Sequence, residues 1–350
     1  MILQANSLLS FTEKVCISAG MGPREAHVFA ESLVHANMRG MDSHGVMRLG
    51  AYLRRIREGV LAVGAEPEII TDGDTLLSVD GHNGVGVWIA QRVMEQCVER
   101  AGEKGVCIAG VKNCNHFGCA AYFTHFAAER HMIGFAMANS PKAVSPYGGA
   151  EAMFGTNPLA VTVPAKGGVI YDLDMATSLV AQGKLILARK EGRSVPSGWG
   201  VDAEGNPSTD PAAILDGGTL SAFGGAKGYA IMMLIELLCV CLAQGMPSTA
   251  MGSMYGQARP QGTGFVLGAV DYSRIVDADT FETMAGELIA SVKSSRTAPG
   301  VEEIYMPGEL EARRFERARR EGIELSDVVA AELTSLGEMY GVPFTSACAL

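Results

Sequence analysis

Apolar residues recur at helical spacing through the first sixty positions. The pattern predicts helices over 6–19 and 24–39, separated by Gly22-Pro23 with Pro23 suited to a first turn. A third helix is predicted over 44–58, ending at Gly59. Val46, Leu49, Leu53 and Ile56 form its apolar stripe, while His44, Arg48 and Tyr52 follow at intervals of four on the other side. The texture then changes. Thr75–Val79 reads as a strand, Gly86–Arg100 as an amphipathic helix, Val106–Val111 as a buried strand, 120–130 as a helix and 133–138 as a strand. A Gly/Pro-rich segment ends in Gly155-Thr156-Asn157-Pro158; strands near 159–163 and 169–174 follow, then a helix from about 178 to 190. Residues 195–222 read as loop and Lys227–Ala243 as a long buried helix. Strand 264–270, helix 278–293 and a charged helix over 309–321 complete the pattern. No internal repeat is visible. The order is a helical segment, a mixed sheet core, then helices that return to the first segment.

Composition narrows the class. A chain of 350 residues is too long for one small core, and 48% hydrophobic with 19% charged residues is ordinary globular composition. Net charge is −10, and Arg313, Arg314, Arg317, Arg319 and Arg320 alternate with Glu309, Glu311, Glu316 and Glu321 as a solvated helical face. No nucleic-acid partner is expected. The most apolar stretch, Tyr229–Leu242, contains Glu236 and is too short to span a bilayer, so no membrane partner is expected either. No charged leader precedes the first helix, which makes a cytoplasmic protein the expectation. The eight cysteines (16, 97, 107, 114, 119, 239, 241, 348) contain no Cys-x-x-Cys and read as reduced core residues. Cys114, His116 and Cys119 gather three candidate metal ligands without a fourth at a recognisable spacing, so no metal is expected.

Several segments carry candidate chemistry. Gly81-x-x-Gly84-x-Gly86 resembles a dinucleotide fingerprint, but its third glycine would fall at Ile89, so it reads as a turn and helix start. Gly224-Gly225-Ala226-Lys227-Gly228 lacks the spacing of a P-loop, yet it sets Lys227 at a helix N-terminus, where an anion is favoured. Its plain alternative is a lysine snorkelling at a helix start. His116 follows a buried strand in a loop of small and amide residues, a place for either a site or a structural histidine. Asp172-Leu-Asp-Met-Ala-Thr-Ser178 leaves a strand with two acids and two hydroxyls; its plain alternative is a strand end and a helix cap at Ser178.

In this order the segments resemble the malate/L-lactate dehydrogenase family whose fold is not of Rossmann type, which includes ureidoglycolate and sulfolactate dehydrogenases, diketogulonate reductases and cyclic imine reductases. The stretches that carry the resemblance are Arg39–Arg48, Asn115–Gly118, Pro146–Gly149, Gly155–Pro158, Asp174–Ser178, Gly225–Tyr229 and Met306–Glu309. The resemblance implies an α/β (α+β) protein. A nicotinamide-binding domain on a mostly antiparallel, mixed sheet would span 73–299, and a helical domain would form from 1–72 with C-terminal helices in 300–350. It also implies a homodimer or higher homo-oligomer, and NAD as cofactor with NADP left open. By position, cofactor contacts would fall on Ser140, Asp174, Met175, Ala176, Lys227, Pro307 and Gly308.

The same resemblance places the catalytic histidines at His116 and His44 and the substrate carboxylate on Arg48. Oxidising a 2-hydroxy acid needs a base near the working pH, which suits histidine. The assignment is His116 as proton acceptor and His44 as the group that orients the oxygen, with the two roles exchangeable. Arg48 clamps the carboxylate, Tyr52 flanks it, and Arg259 meets the substrate's distal group. In reverse the pair would protonate a 2-keto acid or a cyclic imine. Ser253-Met254-Tyr255 points toward ureidoglycolate dehydrogenases and Asn115-His116-Phe117 toward the malate and lactate branch. A non-catalytic nucleotide sensor is the reading of another class. His44, Arg48, His116 and Lys227 together argue against it, since a sensor has no use for a proton-transfer pair.

Overall fold

Chain order is β1 (Ile2–Leu3), α1 (Ala5–Ser18), α2 (Pro23–Met38), α3 (Leu49–Arg57), β2 (Glu68–Asp72), β3 (Leu76–Asp80), α4 (Gly86–Lys104), β4 (Val106–Cys114), α5 (Ala120–Ala128), β5 (Ile133–Ala138), β6 (Leu159–Val163) and β7 (Tyr171–Met175). Then come α6 (Gln182–Lys190), β8 (Gly200–Val201), β9 (Pro207–Ser208), α7 (Pro211–Leu215), β10 (Thr219–Leu220), α8 (Ala226–Leu237), β11 (Thr263–Val270), α9 (Ala278–Lys293), α10 (Glu309–Glu321), β12 (Ile323–Glu324) and α11 (Asp327–Tyr340). This computed structural model describes residues 1–344 apart from Val169 and Gln257. Cys348 and the start of the strand expected from 169 lie outside the described residues.

Seven strands form the main sheet in the order β2-β3-β4-β11-β5-β6-β7. Only β3 and β4 run parallel among the described strands, joined by the crossover helix α4. Strand β11 lies at the centre although it comes last in sequence. Its near-continuous burial follows, because helices cover both faces there. Helices α4 and α5 pack on one face, and the end of α8 with the π-turn Leu238–Leu242 packs on the other. Strand β5 alternates half-buried and buried positions, and β3 does so after its exposed first residue, as strands with one covered face do.

The two ends of the chain meet. β1 pairs antiparallel with β12, α10 packs on α2, and α11 packs on α1 and α3. One core runs from Leu8, Phe29 and Leu53 through Val93 and Phe123 to Phe265 and Leu333, so the helical layer and the sheet share their interior. A smaller core of Val144, Phe154, Leu185, Ile214, Leu220 and Met232 supports the three-stranded sheet β10-β8-β9. No helix among the described residues is long and apolar enough to cross a membrane.

Several expectations need correction. The predicted 44–58 helix is three pieces: 3-10 turns at Asp42–His44 and Val46–Arg48, then α3. Asn37 of α2 causes the break: its Oδ1 accepts from Val46 N–H at 2.9 Å and its Nδ2 donates to Asp42 at 2.6 Å. Gly45 permits that approach, since a Cβ there would lie 2.2 Å from Asn37 Oδ1. Helix α6 starts at Gln182, and the Ser178 hydroxyl donates to Val180 O instead of capping it. Residues 195–222 hold three two-residue strands and α7, too short for periodicity to show. The helix expected from Lys227 is buried on one side only, with Leu234, Leu237 and Leu242 exposed. β2 and α11 were not anticipated.

Candidate active site

His116 stands just beyond β4, at the mouth between α3 and the sheet. Its position depends on Gly86 at the start of α4, where a Cβ would fall 2.2 Å from Asn115 O and 2.4 Å from His116 O. The helix start therefore abuts the backbone that carries the histidine. His116 N–H donates to Gln261 Oε1 at 2.9 Å, fixing the loop from the other side.

The ring is fixed as well. Tyr52 Oη lies 2.5 Å from His116 Nδ1, and Gly118 N–H reaches the same nitrogen at 3.3 Å. A backbone N–H can only donate, so Nδ1 is the acceptor and the neutral ring carries its proton on Nε2. Tyr52 is fully buried with its ring edge-on to Phe29 at 4.7 Å, and burial pushes its phenol up, so it stays protonated as the second donor. The Tyr52 hydroxyl is thus engaged by the histidine. The cause is the break at Gly45, after which Tyr52 falls on the core face of α3 beside Leu49 and Leu53.

His44 sits in the first 3-10 turn, with its ring 5.5 Å from that of His116 at an interplanar angle of 24°. Ser43 Oγ is 2.9 Å from His44 Nδ1. Burial, then the Arg48 charge, brings the His44 pKa down to about 4. Burial also drives His116 well below its ordinary value, with Arg48 and His44 adding to the effect. Both rings are neutral at neutral pH. Arg48 donates Nε–H to Ser43 O at 2.7 Å, and its guanidinium lies 5.6 Å from the Tyr255 ring centroid. Arg259 lies on the same loop as Tyr255, but its side chain bonds Met251 O at 2.6 Å.

The residues assigned to the cofactor lie along the edge of the sheet. Asp174 Oδ2 accepts from Ala121 N–H at 3.0 Å, at the start of α5 and five residues after His116. Burial above all, with the neighbouring Asp172, raises its carboxyl to about 6. Met175 ends β7 and Ala176 follows it. Thr177 N–H donates to Thr156 O at 2.8 Å, and Thr156 N–H donates to Ser140 Oγ at 2.9 Å, so Ser140 joins the same edge. Pro307 O accepts from Asp172 N–H at 3.1 Å, and Gly308 rests on the Asp172 Cβ. Lys227 is exposed in the first turn of α8. Gly224 and Gly225 before it line a cavity of about 500 Å³ with Tyr147, Gly148 and Glu204. A helix start, an exposed lysine and a carboxylate with one oxygen unengaged among the described residues suit a dinucleotide's phosphates and ribose hydroxyls.

Beneath this edge is a group whose role the sequence did not disclose. Arg39 reaches Asp172 Oδ2 at 2.5 Å, His125 reaches the same oxygen at 2.9 Å, and Thr162 donates to Oδ1 at 2.9 Å. Burial would raise the Asp172 carboxyl, but these partners outweigh it and hold it at about 2. Asn115, Arg55, Gln261 and Tyr255 were also missed as members of the site. The signal for Arg55 was an arginine among Leu53 and Ile56, and it turns out to be buried. Among the described residues, no group of three or more His, Cys, Asp or Glu is placed to hold a metal ion.

Paired histidines beside a cation at the end of a sheet strand can carry the proton transfer that a dehydrogenase needs, and the class of the protein follows from its relatives. A profile of malate/L-lactate dehydrogenases matches residues 3–334, and the chain belongs to that family. It is 36% identical over 318 residues to an L-sulfolactate dehydrogenase of Methanothermobacter thermautotrophicus, covering 90% of each chain. It is 32% identical over 339 residues to a ureidoglycolate dehydrogenase (NAD(+)) of Escherichia coli K12, covering 96% of this chain and 95% of that one. The structure of malate dehydrogenase from Pyrococcus horikoshii OT3 superposes with a TM-score of 0.90 at 30% identity, covering 98% of this chain and 96% of that one. The chain is accordingly an oxidoreductase of the dehydrogenase class.

Proposed function

We propose that the protein interconverts a 2-hydroxy acid and its 2-keto acid with NAD, in a pocket built from His44, Arg48 and His116 and completed in a homodimer. The observation that carries the reading is the stacked histidine pair beside Arg48, a cation whose bonds among the described residues are to a neutral carbonyl and an aromatic face. Arg48 holds the substrate carboxylate through its free guanidinium nitrogens. His116, held as the Nε2–H tautomer, donates a hydrogen bond to the reacting oxygen. With Nδ1–H of His44 donated to Ser43 Oγ, one of the two directions a hydroxyl contact allows, its Nε2 lone pair is left to take the hydroxyl proton. These contacts support the exchanged assignment of the two histidines, with His44 rather than His116 as the base. A bound nicotinamide would supply the hydride acceptor, or the donor in the reductive direction, for the carbon that bears the reacting oxygen. Asp174, Met175, Ala176, Ser140, Lys227, Pro307 and Gly308 hold the dinucleotide, and Arg259 borders the distal end of the substrate pocket. The division into a helical domain (1–72 with 300–350) and a sheet domain (73–299) belongs to the same proposal, as does a cytoplasmic setting.

Ureidoglycolate is the second reading of the substrate, favoured by Ser253-Met254-Tyr255 in the loop that faces Arg48. The test is initial rates with NADH and NADPH against the keto acids of malate, lactate and sulfolactate and a cyclic imine, and with NAD and NADP against ureidoglycolate. Turnover of one or more of these acids with NADH or NAD is expected. No turnover of any, by protein that binds NADH, would replace the enzyme reading with the sensor.

A further inference from the structure

Arg55 is 1% exposed, one turn beyond Tyr52 on α3. Its Nη2 donates to Asn115 Oδ1 at 3.2 Å and to Arg259 O at 3.0 Å, and its Nη1 donates to Ser253 O at 3.1 Å. A longer contact reaches Val60 O at 3.5 Å. All four acceptors are neutral. Burying a cation without a carboxylate is costly, and here burial pulls the guanidinium below its ordinary pKa. A residue kept under that cost with such a spread of partners calls for a role beyond filling space.

The partners indicate what it joins. Asn115 precedes His116, and its Nδ2 is fixed to Asn83 O, Asn83 Oδ1 and Gly84 O at 2.8–3.0 Å. Ser253 and Arg259 flank Tyr255, whose ring faces Arg48. One planar fork thus bonds the strand end that carries His116 and both ends of the loop that carries Tyr255. Arg54 adds a bond to Met254 O at 3.0 Å from the neighbouring position. The geometry points to Arg55 as a positioning residue that fixes the separation between His116 and the loop over Arg48, and so the fit of the reacting carbon between hydride and proton. The proposal rests on the dehydrogenase reading of the same site.

Lysine has one nitrogen where the guanidinium has a fork, so it cannot span these acceptors together. Arg55→Lys and Arg55→Gln are therefore compared with the full-length wild type for kcat, substrate KM, NADH Kd and thermal melting. The expected result is a fall in kcat/KM of about 10–100-fold carried mainly by kcat, since a small misplacement is costly in a reacting complex. NADH Kd should stay within about twofold, and millimolar guanidinium should restore part of the kcat of Arg55→Gln. Three outcomes overturn the proposal: kcat/KM of Arg55→Lys within about threefold of wild type, NADH affinity lost in proportion to rate, or no melting transition in either variant. Wild-type turnover is measured first. Its absence would sink the dehydrogenase reading, whereas normal wild-type turnover with an unimpaired Arg55→Lys sinks only the positioning role.

Discussion

At the scale of single residues, the two histidines differ by what holds their Nδ1 atoms. His116 receives a backbone N–H there and His44 faces a serine hydroxyl, which can accept. The difference can be read in pH dependence. A base pushed down from 6.5 to about 4 should place the acidic limb of kcat/KM for oxidation near that value, with activity lost as pH falls through it because a protonated ring cannot accept. His44→Gln should abolish the limb and lower kcat by about 10²–10⁴-fold, while His116→Gln, whose amide can still donate, should keep it. The opposite pair of results returns the base role to His116. The sign for stability follows from the same shift. Between 6.5 and about 4 the unfolded chain takes up a proton that the folded chain refuses, so stability decreases as pH is lowered across that window. Arg48→Lys makes a separate demand. If a forked pair of bonds holds the carboxylate, kcat/KM should drop by the equivalent of about 2–4 kcal/mol although the charge remains. Near-normal turnover would remove the clamp. That His44 and Arg48 share one side of a segment was legible from their spacing against an apolar stripe, whereas their approach to His116 is a tertiary contact. The bond from Tyr52 to His116 was not legible, because it joins residues 64 apart in sequence.

At the scale of elements, the sequence was most informative where one element buries one face. Helices α4 and α9 and strand β5 lie within a few residues of their predicted bounds. It was least informative where a side chain from another element intrudes, as Asn37 does into the 42–48 segment. It was also blind to strands of two residues, which have no period to detect. The contact between the start of α4 and the His116 loop is of the intruding kind, and it yields a prediction. In Gly86→Ala the new methyl would meet two backbone carbonyls, neither of which can move as a side-chain end can. About 1–3 kcal/mol of stability should be lost, and the displaced histidine should lower kcat by about tenfold or more, with NADH affinity less affected. Melting and steady-state kinetics on the same preparation check both parts. A variant with wild-type kcat would show that α4 does not set the position of His116.

At the scale of the whole molecule, α8 remains the unresolved tension between pattern and structure. Its sequence is apolar all round, which reads as a buried helix. In the single chain, Met232, Ile235 and Cys239 face inward, while Leu234, Leu237 and Leu242 stay 54%, 45% and 57% exposed. Hydropathy alone cannot distinguish a face that packs on its own sheet from one that packs on another molecule. Exposed leucines along one helix and the turn after it would suit an association surface, and a second copy of the chain is the occupant that a symmetric oligomer would supply. Because Lys227 and the glycines before it lie at the start of the same helix, association there would also steady one wall of the cofactor site. Sedimentation of the wild type at micromolar concentration should therefore give about twice the 36.8 kDa chain mass. Leu234→Glu, which would bury an unpaired carboxylate at the contact, should weaken association by about 100-fold or more. The monomeric fraction should keep its melting transition but bind NADH less tightly. A wild type that sediments as a monomer, or a Leu234→Glu variant that still dimerises and binds NADH normally, would remove α8 as the interface.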